Sequence, residues 1–545
     1  MSLRQLLTYA HENDAVTALA EAARESAGTP ERAFVSASLR PYLIAALLDE
    51  DPARPALVVA GDDRAARDLA ADLRAFLAPR LVRFYPARGV RYESHLAPPP
   101  HLVGLRVAAL EALTSAPGEQ GAAVVVASAA ALAEKVPDPD LRPQGFAIEK
   151  SELLDLDETT ARLVACGYER VDQVEERGQF ALRGDILDVY PATEERAVRC
   201  ELFDVEVERL TFFSTFTQRS LEEVERVEIA PCAEIGPEQR ELAEIAAEED
   251  ESERPDVADI LPVDRFCDFL SLVPPDALVA VAAEEEIDPS LADLWQDVST
   301  SFHDEDAHHL YLAPDRLKPQ LEERVALSFS SLAQDQPHEF RAQGADTSAK
   351  SLREAEPELE KLVRSGYRTV VAWARRGEAE RAAYNLARVQ ARFLDGKPAP
   401  HEPGVTFAAA SLREGFLAPG LKLAVLPEHR LLRRRRAERP TGPVTGAGAI
   451  ASFTDLRASD AVVHEDHGIA RFTGFRTREV GGITRDYLEL EYKDGDKVFV
   501  PSDQLHKISR YVGADATDPP LSKLGGKQWE QMKIRARRAA KALAG

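Results

Sequence analysis

The feature that most constrains the fold is a change of hydrophobic period near residue 145. Before it, short apolar runs at Ala33–Ser36, Ala56–Ala60, Leu81–Tyr85 and Ala123–Ala127 alternate with helical stretches. One helix is expected to start at Asp62-Asp63 and to bury Ala66, Leu69, Leu73, Phe76 and Leu77, which share a face at helical spacing. Strands alternating with amphipathic helices imply a parallel sheet reached by crossover connections. From about 145 to 231 the strands shorten, turn signals multiply and the pattern becomes antiparallel, so a compact α+β module interrupts the first domain. The α/β rhythm returns over 255–350. The expected organisation is an α/β domain of residues 1–144 plus 232–350 with the inserted module at 145–231, then a small α/β domain at 351–435. A linker follows at 436–449, an all-β module at 450–520, and a helical segment at 521–545.

Within the inserted module, Gly167 to Phe213 is strand-patterned yet polar where a core would be apolar. Phe180, Leu182, Ile186 and Val189 are apolar, but Arg183 and Arg199 stand where a plain strand would carry Val or Thr. Arginines beside an aromatic on a small sheet suit a docking face. In the all-β module, Tyr487 to Tyr492 alternates with period two, Asp494-Gly495 supplies a turn, and Val498 to Pro501 returns. Several short strands in so few residues suggest an SH3- or Tudor-like barrel.

Composition narrows the chemistry. A formal charge of −26 repels nucleic acid at long range, so any DNA contact has to be local. The candidates are the run Arg433, Arg434, Arg435 and Arg436, and the basic face of the last helix with Arg535 and Arg538. The 4 cysteines form no CxxC pair, which argues for a reducing compartment, here the cytoplasm, and against structural zinc. No apolar run is long enough to span a membrane. The stretch Glu241 to Glu253 is an acidic run suited to a solvated loop. At the end of the first strand, Phe34 to Tyr42 has neither the glycines nor the lysine of a phosphate loop, and no GxxxxGK[ST] occurs elsewhere. The acids Asp49 to Asp51 and the cluster His303, Asp304, Asp306, His308 and His309 lack the context of a metal site. His464 and His467 are three apart rather than four, so they do not form a zinc-protease motif. No catalytic residue, metal or cofactor is expected, and the chain reads as a monomeric binding protein.

Two motifs carry a resemblance. FALRGDILDVYP at 180–191 and VRCELFDVEVERL at 198–210 resemble the module through which the excision-repair protein UvrB contacts UvrA. By that resemblance Arg183, Arg199 and Phe203 fall on UvrA-contacting positions. UvrB carries an intact phosphate loop, and this chain does not. Val462 to Phe472, Gly481 to Thr484, Asp486 to Leu488 and Val500 to Tyr511 are similar to the CarD-like RNA-polymerase-interacting domain of the transcription-repair coupling factors. Lys523 to Trp529 resembles the entry to the relay helix that follows it in that family. The resemblance implies an edge strand near Gly468–Val480 docking on the polymerase β subunit, with Ile469, Arg471, Phe472, Arg478 and Glu479 as contact residues. Arg478 stands where some family members carry an apolar residue. It further implies a non-catalytic adaptor portion of a protein whose motor domains, expected outside this chain, use ATP and Mg to translocate double-stranded DNA. Two other readings stay open at this level: a UvrB-like DNA-dependent ATPase and a stand-alone CarD-like transcription regulator.

Overall fold

The structure is a computed structural model, and it describes residues 3–25, 29–89, 92, 98–215, 218–236, 262–299, 304–332, 336–345, 349, 351–394, 396, 398–432, 461–464, 468–480, 483–501, 508–510 and 521–522. The chain is a mixed α/β multidomain protein, and it divides into two compact units. The first takes in residues 1–88 and 100–437 and the second residues 89–99 and 438–545.

The first unit is built on a seven-stranded sheet. Its sequence-local strands are Glu31–Val35, Ala56–Ala60, Val82–Tyr85 and Val124–Ser128, close to where the apolar runs place them. All of Ala56–Ala60 and Val124–Ser128 is buried, as expected of parallel strands covered on both faces. The helix Asp63–Leu77 starts where expected because the Asp62 carboxylate accepts a hydrogen bond from the Ala65 amide and so caps it. Its buried face contains all five residues that the helical spacing selects. The sheet is not assembled in chain order. Glu31–Val35 and Ala56–Ala60 are separated by two later strands, Leu278–Val281 and Val325–Ser330, each parallel to its neighbours.

A second sheet of six strands lies around residues 343–427, with Arg368–Trp373 between Leu423–Pro427 and Gly404–Ala409. It shares a core with the first. The Tyr42 ring lies 5.2 Å from Phe416, the Asp72 carboxylate accepts from the Arg413 amide at 2.8 Å, and Tyr9 donates to the Pro400 carbonyl at 2.6 Å. Arg368 joins the same contact. It pairs with Glu12 at 2.8 Å and lies 3.8 Å over the Tyr9 ring.

The inserted module is a six-stranded sheet packed on the helix Leu156–Ala165. That helix ends in a Schellman motif. Tyr168 donates back to Leu163 and Gly167 to Val164, with Gly167 at φ 84. A side chain at Gly167 would be strained by that conformation, and its Cβ would meet the Ala233 Cβ at 2.6 Å.

A buried ion network holds the chain in the host domain just after it leaves the module. Arg106, on the helix Pro100–Thr114, pairs with Glu134 at 2.6 Å and with Glu234 at 2.9 Å, and Glu234 also holds Arg88 at 2.7 Å. Arg106 lies 4.7 Å over the Tyr85 ring and is 1% exposed. The two acids differ. Burial pushes Glu134 up to about 7 against the opposing pull of Arg106. Burial also pushes Glu234 up, but Arg88 and Arg106 outweigh it and hold that carboxyl below its usual range. Beside this network, Gly104 lets its helix approach Ala192 of the module, where an added Cβ would come within 2.4 Å of the Ala192 Cβ.

The second unit is a five-stranded antiparallel sheet in the order Lys497–Pro501, Ile483–Glu491, Gly468–Val480, Ala461–His464, Ile508–Arg510. The alternating residues Leu488, Leu490 and Tyr492 fill its core with Val462, Phe472 and Val500. The turn at Asp494-Gly495 is a short helical turn over Lys493–Gly495, with Gly495 at φ 80.

Candidate functional site

The module's sheet buries one face and presents the other. The inner face carries Phe180, Leu187, Val189, Val198, Cys200, Leu202 and Leu210, all buried. Period-two alternation then places Arg183, Ile186, Asp188, Arg199, Glu201 and Phe203 on the outer face. Part of that face is closed by Val171, Val174 and Tyr190, which pack on Ala181, Ala197 and Phe213.

The two sequence-selected arginines converge on one carboxylate. Arg199 lies directly opposite Asp188 in the ladder, and the pair forms a fork: Nε to Oδ1 at 2.7 Å and Nη2 to Oδ2 at 2.8 Å. Arg183 Nη2 reaches the same Oδ2 at 3.9 Å. The Arg199 guanidinium also lies 4.6 Å over the Phe213 ring and 3.4 Å from both the carbonyl and the side-chain oxygen of Gln218. The hydrogen bond with Asp188 raises the Arg199 pKa further above its already high value, so the side chain is a permanent cation. The side chains are 50% exposed at Arg183, 17% at Arg199 and 2% at Asp188. Arg199 is therefore a braced, half-hidden cation, and Arg183 is the open one.

Phe203 is 74% exposed at the tip of the hairpin Ala197–Phe203 to Glu206–Phe213, which turns through Asp204 at φ 58. It shares its rung with Glu206, and Glu206 is bridged in turn to Leu153, which is 77% exposed. The strand pattern selects Arg183 and Arg199, the resemblance adds Phe203, and neither finds Asp188, Phe213 or Gln218. An aspartate between Leu187 and Val189 in the middle of a strand was the available signal, because such a position tolerates a carboxylate only with a partner.

In the second unit the residues singled out by sequence separate into two groups. Ile469 and Phe472 are 7% and 2% exposed, so their side chains belong to the core rather than to an open contact surface. The edge-strand expectation needs the same correction over part of its length. Gly468–Arg471 pairs with Ala461–His464, and Arg471 pairs with Ile483–Glu491 on its other side as well. The reason is the shortness of Ala461–His464, which covers only that end. From Gly474 to Val480, pairing among the described residues is with Ile483–Glu491 alone. Arg471 is half-buried at the junction, opposite Ala461 and Glu491. The backbones of Arg478 and Glu479 lie on the one-sided stretch, and their side chains fall outside the described residues. So do Arg433, Arg434, Arg435, Arg436, Arg535, Arg538, Lys523 to Trp529 and the acidic run from Glu241.

The position of a phosphate loop, between Val35 and the helix Arg40–Asp49, holds side chains of the protein itself. Arg40 donates to Ser331, Glu285 accepts from the Ser331 amide at 3.0 Å, and Ser36 accepts from the Ala342 amide at 3.0 Å. Burial lowers the Arg40 pKa while Glu285 and Glu286 support its charge. Asp49 pairs with Arg4, and Glu50 pairs with His11 and Arg24. Among the described residues no three His, Cys, Asp or Glu side chains converge as a metal ion would require. No helix of the described residues is long and apolar enough to cross a membrane.

Comparison with known proteins places family matches on both sheets. Residues 146–234 match the UvrB interaction domain, and residues 456–512 match the CarD-like/TRCF RID domain. The chain is 27% identical over 577 residues to the transcription-repair-coupling factor of Bacillus subtilis (strain 168), covering 96% of this chain and 49% of that protein. It is 26% identical over 527 residues to the namesake of Staphylococcus aureus (strain MRSA252), covering 87% of this chain and 44% of the relative. The chain spans about half the length of the curated relatives it matches. With both domain matches in sequence and similarity along nearly all its residues, the chain is similar to the transcription-repair-coupling factors.

Proposed function

We propose that this chain is an adaptor in transcription-coupled nucleotide excision repair. The module at 145–231 binds UvrA, and the β module at 450–520 binds the RNA polymerase β subunit. The observation that carries the reading is the outer face around Asp188. There Arg183 and Arg199 stand side by side on a rigid sheet, and exposed Phe203 lies on the same face within the stretch similar to the UvrB interaction domain. A cation pair and an aromatic on a preformed surface are the usual ingredients of a binding hot spot. On the polymerase side, the one-sided stretch Gly474–Val480 offers main-chain groups for strand addition, with Arg471, Arg478 and Glu479 beside it. Ile469 and Phe472 support that strand from within. We read the five-stranded sheet as the SH3- or Tudor-like barrel of such modules, and the domain boundaries as those drawn from the period changes.

Arg40, Glu285 and Ser331 at the phosphate-loop position favour the adaptor over a UvrB-like ATPase in this part of the protein. ATP, Mg and double-stranded DNA belong, in this reading, to the part of the family's length that the chain does not span. The protein acts in the cytoplasm as a monomer.

Binding to purified UvrA tests the reading. Arg183→Ala and Phe203→Ala, both at exposed positions, are each expected to weaken UvrA binding by ~2 kcal/mol or more while leaving polymerase binding intact. Unchanged affinity in both variants would sink the assignment.

A further inference from the structure

Asp188 is a buried carboxylate that the module's core does not require. Its strand neighbours Leu187 and Val189 face the inner core, and its cross-strand neighbour Ala181 on the outer face is apolar. A carboxylate in such a place is costly unless it is paired. Both of its oxygens are engaged by Arg199, and Oδ2 lies within reach of Arg183 as well. Phe213 lies under the Arg199 guanidinium from a third strand, and Gln218 approaches it from the following loop.

We infer that Asp188 is the positioning residue of the docking face, holding Arg199 in one geometry and Arg183 beside it so that the two guanidiniums meet an acidic group of the partner as a preformed pair. A long surface arginine ordinarily loses rotamer freedom when it binds. At Arg199 that loss is taken during folding instead. One carboxylate between two guanidiniums leaves the cluster net positive, and the half-exposed Arg183 gives a partner carboxylate access to it. The inference rests on the UvrA reading above and adds to it a residue that does not itself touch the partner.

The test is a set of UvrA affinities measured on the whole chain for Arg199→Ala, Asp188→Asn, the double variant and Asp188→Glu. Asp188→Asn is expected to weaken binding about tenfold. The double variant should be no more than about twofold weaker than Arg199→Ala alone, because groups acting as one unit are not additive. Asp188→Glu, which restores the charge, should recover part of the loss. Polymerase binding through the second unit should be unchanged in every variant. If Asp188→Asn compromises folding, Phe213→Leu replaces it: the packing stays apolar, the ring under the guanidinium is lost, and a smaller loss is expected that again disappears in the Arg199→Ala background. Wild-type affinity in the folded Asp188 or Phe213 variant, or losses that multiply in the double variant, would overturn the inference while leaving the UvrA reading standing. Wild-type affinity in Arg199→Ala itself would overturn the inference, and the docking reading would fail with it only if Arg183→Ala and Phe203→Ala were also silent.

Discussion

Glu134 and Glu234 share Arg106, yet their replacement by glutamine should have opposite consequences. Glu234 is the ionised partner, bound to Arg88 and Arg106 at 2.7 and 2.9 Å in a site almost closed to water. Glu234→Gln leaves two buried guanidiniums with one fewer charge to balance them. Breaking a buried pair from one side costs about 3–5 kcal/mol, a large part of the total stability of an ordinary domain. Glu134 is different, because burial raises its pKa to about 7 from an ordinary 4.5. Between those values the native state binds more protons than the unfolded chain, so the contribution of Glu134 to stability is full below 4.5 and falls as pH rises to 7. Above that window the deficit amounts to about 3 kcal/mol. Glu134→Gln removes it, so the variant should gain on the parent as pH rises and be the milder substitution at pH above 7. Urea unfolding of the parent and both variants at a series of pH values, followed by circular dichroism, supplies the measurement. A flat difference between Glu134→Gln and parent across the window, or equal costs for the two variants above pH 7, would refute the reasoning.

Gly104→Ala should destabilise the joint between helix and module by ~1–3 kcal/mol, read as a lower urea midpoint, because the new Cβ has no room against Ala192. Phe203→Ala should leave that midpoint unchanged within about 0.5 kcal/mol, since the ring is mostly in water; a clear fall would make Phe203 a structural residue. Arg471→Glu should weaken polymerase capture and spare UvrA capture, and equal loss of both would indicate misfolding instead. If the run Arg433–Arg436 contacts DNA, its contribution should fade steeply with added salt, and replacing the four by alanine should lower the slope of log affinity against log salt.

The legible parts of this fold are those written locally. Val124–Ser128 announces itself as an apolar run, and Asp63–Leu77 by a capping aspartate and a stripe at helical spacing. Arg183 and Arg199 are visible because each stands at a strand position that would ordinarily carry Val or Thr. Asp188 is not, because its meaning depends on which residue of another strand lies opposite, and ladder register is not printed in either strand alone. The same limit explains Ile469 and Phe472. Ile469 lies opposite Val463 of Ala461–His464, and Phe472 packs with Leu488, Leu490 and Val500, contacts that alternation within Gly468–Val480 cannot reveal.

The order of strands in the large sheet also sets an order of events during synthesis. Glu31–Val35 and Ala56–Ala60 leave the ribosome early, but the strands that join them, Leu278–Val281 and Val325–Ser330, are made more than two hundred residues later. The inserted module lies wholly between these two events. It can fold while its host is still two unconnected pieces, with apolar strand edges open to chaperones or to misplaced pairing. A translational pause or a truncation between residues 230 and 325 would therefore release a finished docking sheet on an unfinished scaffold.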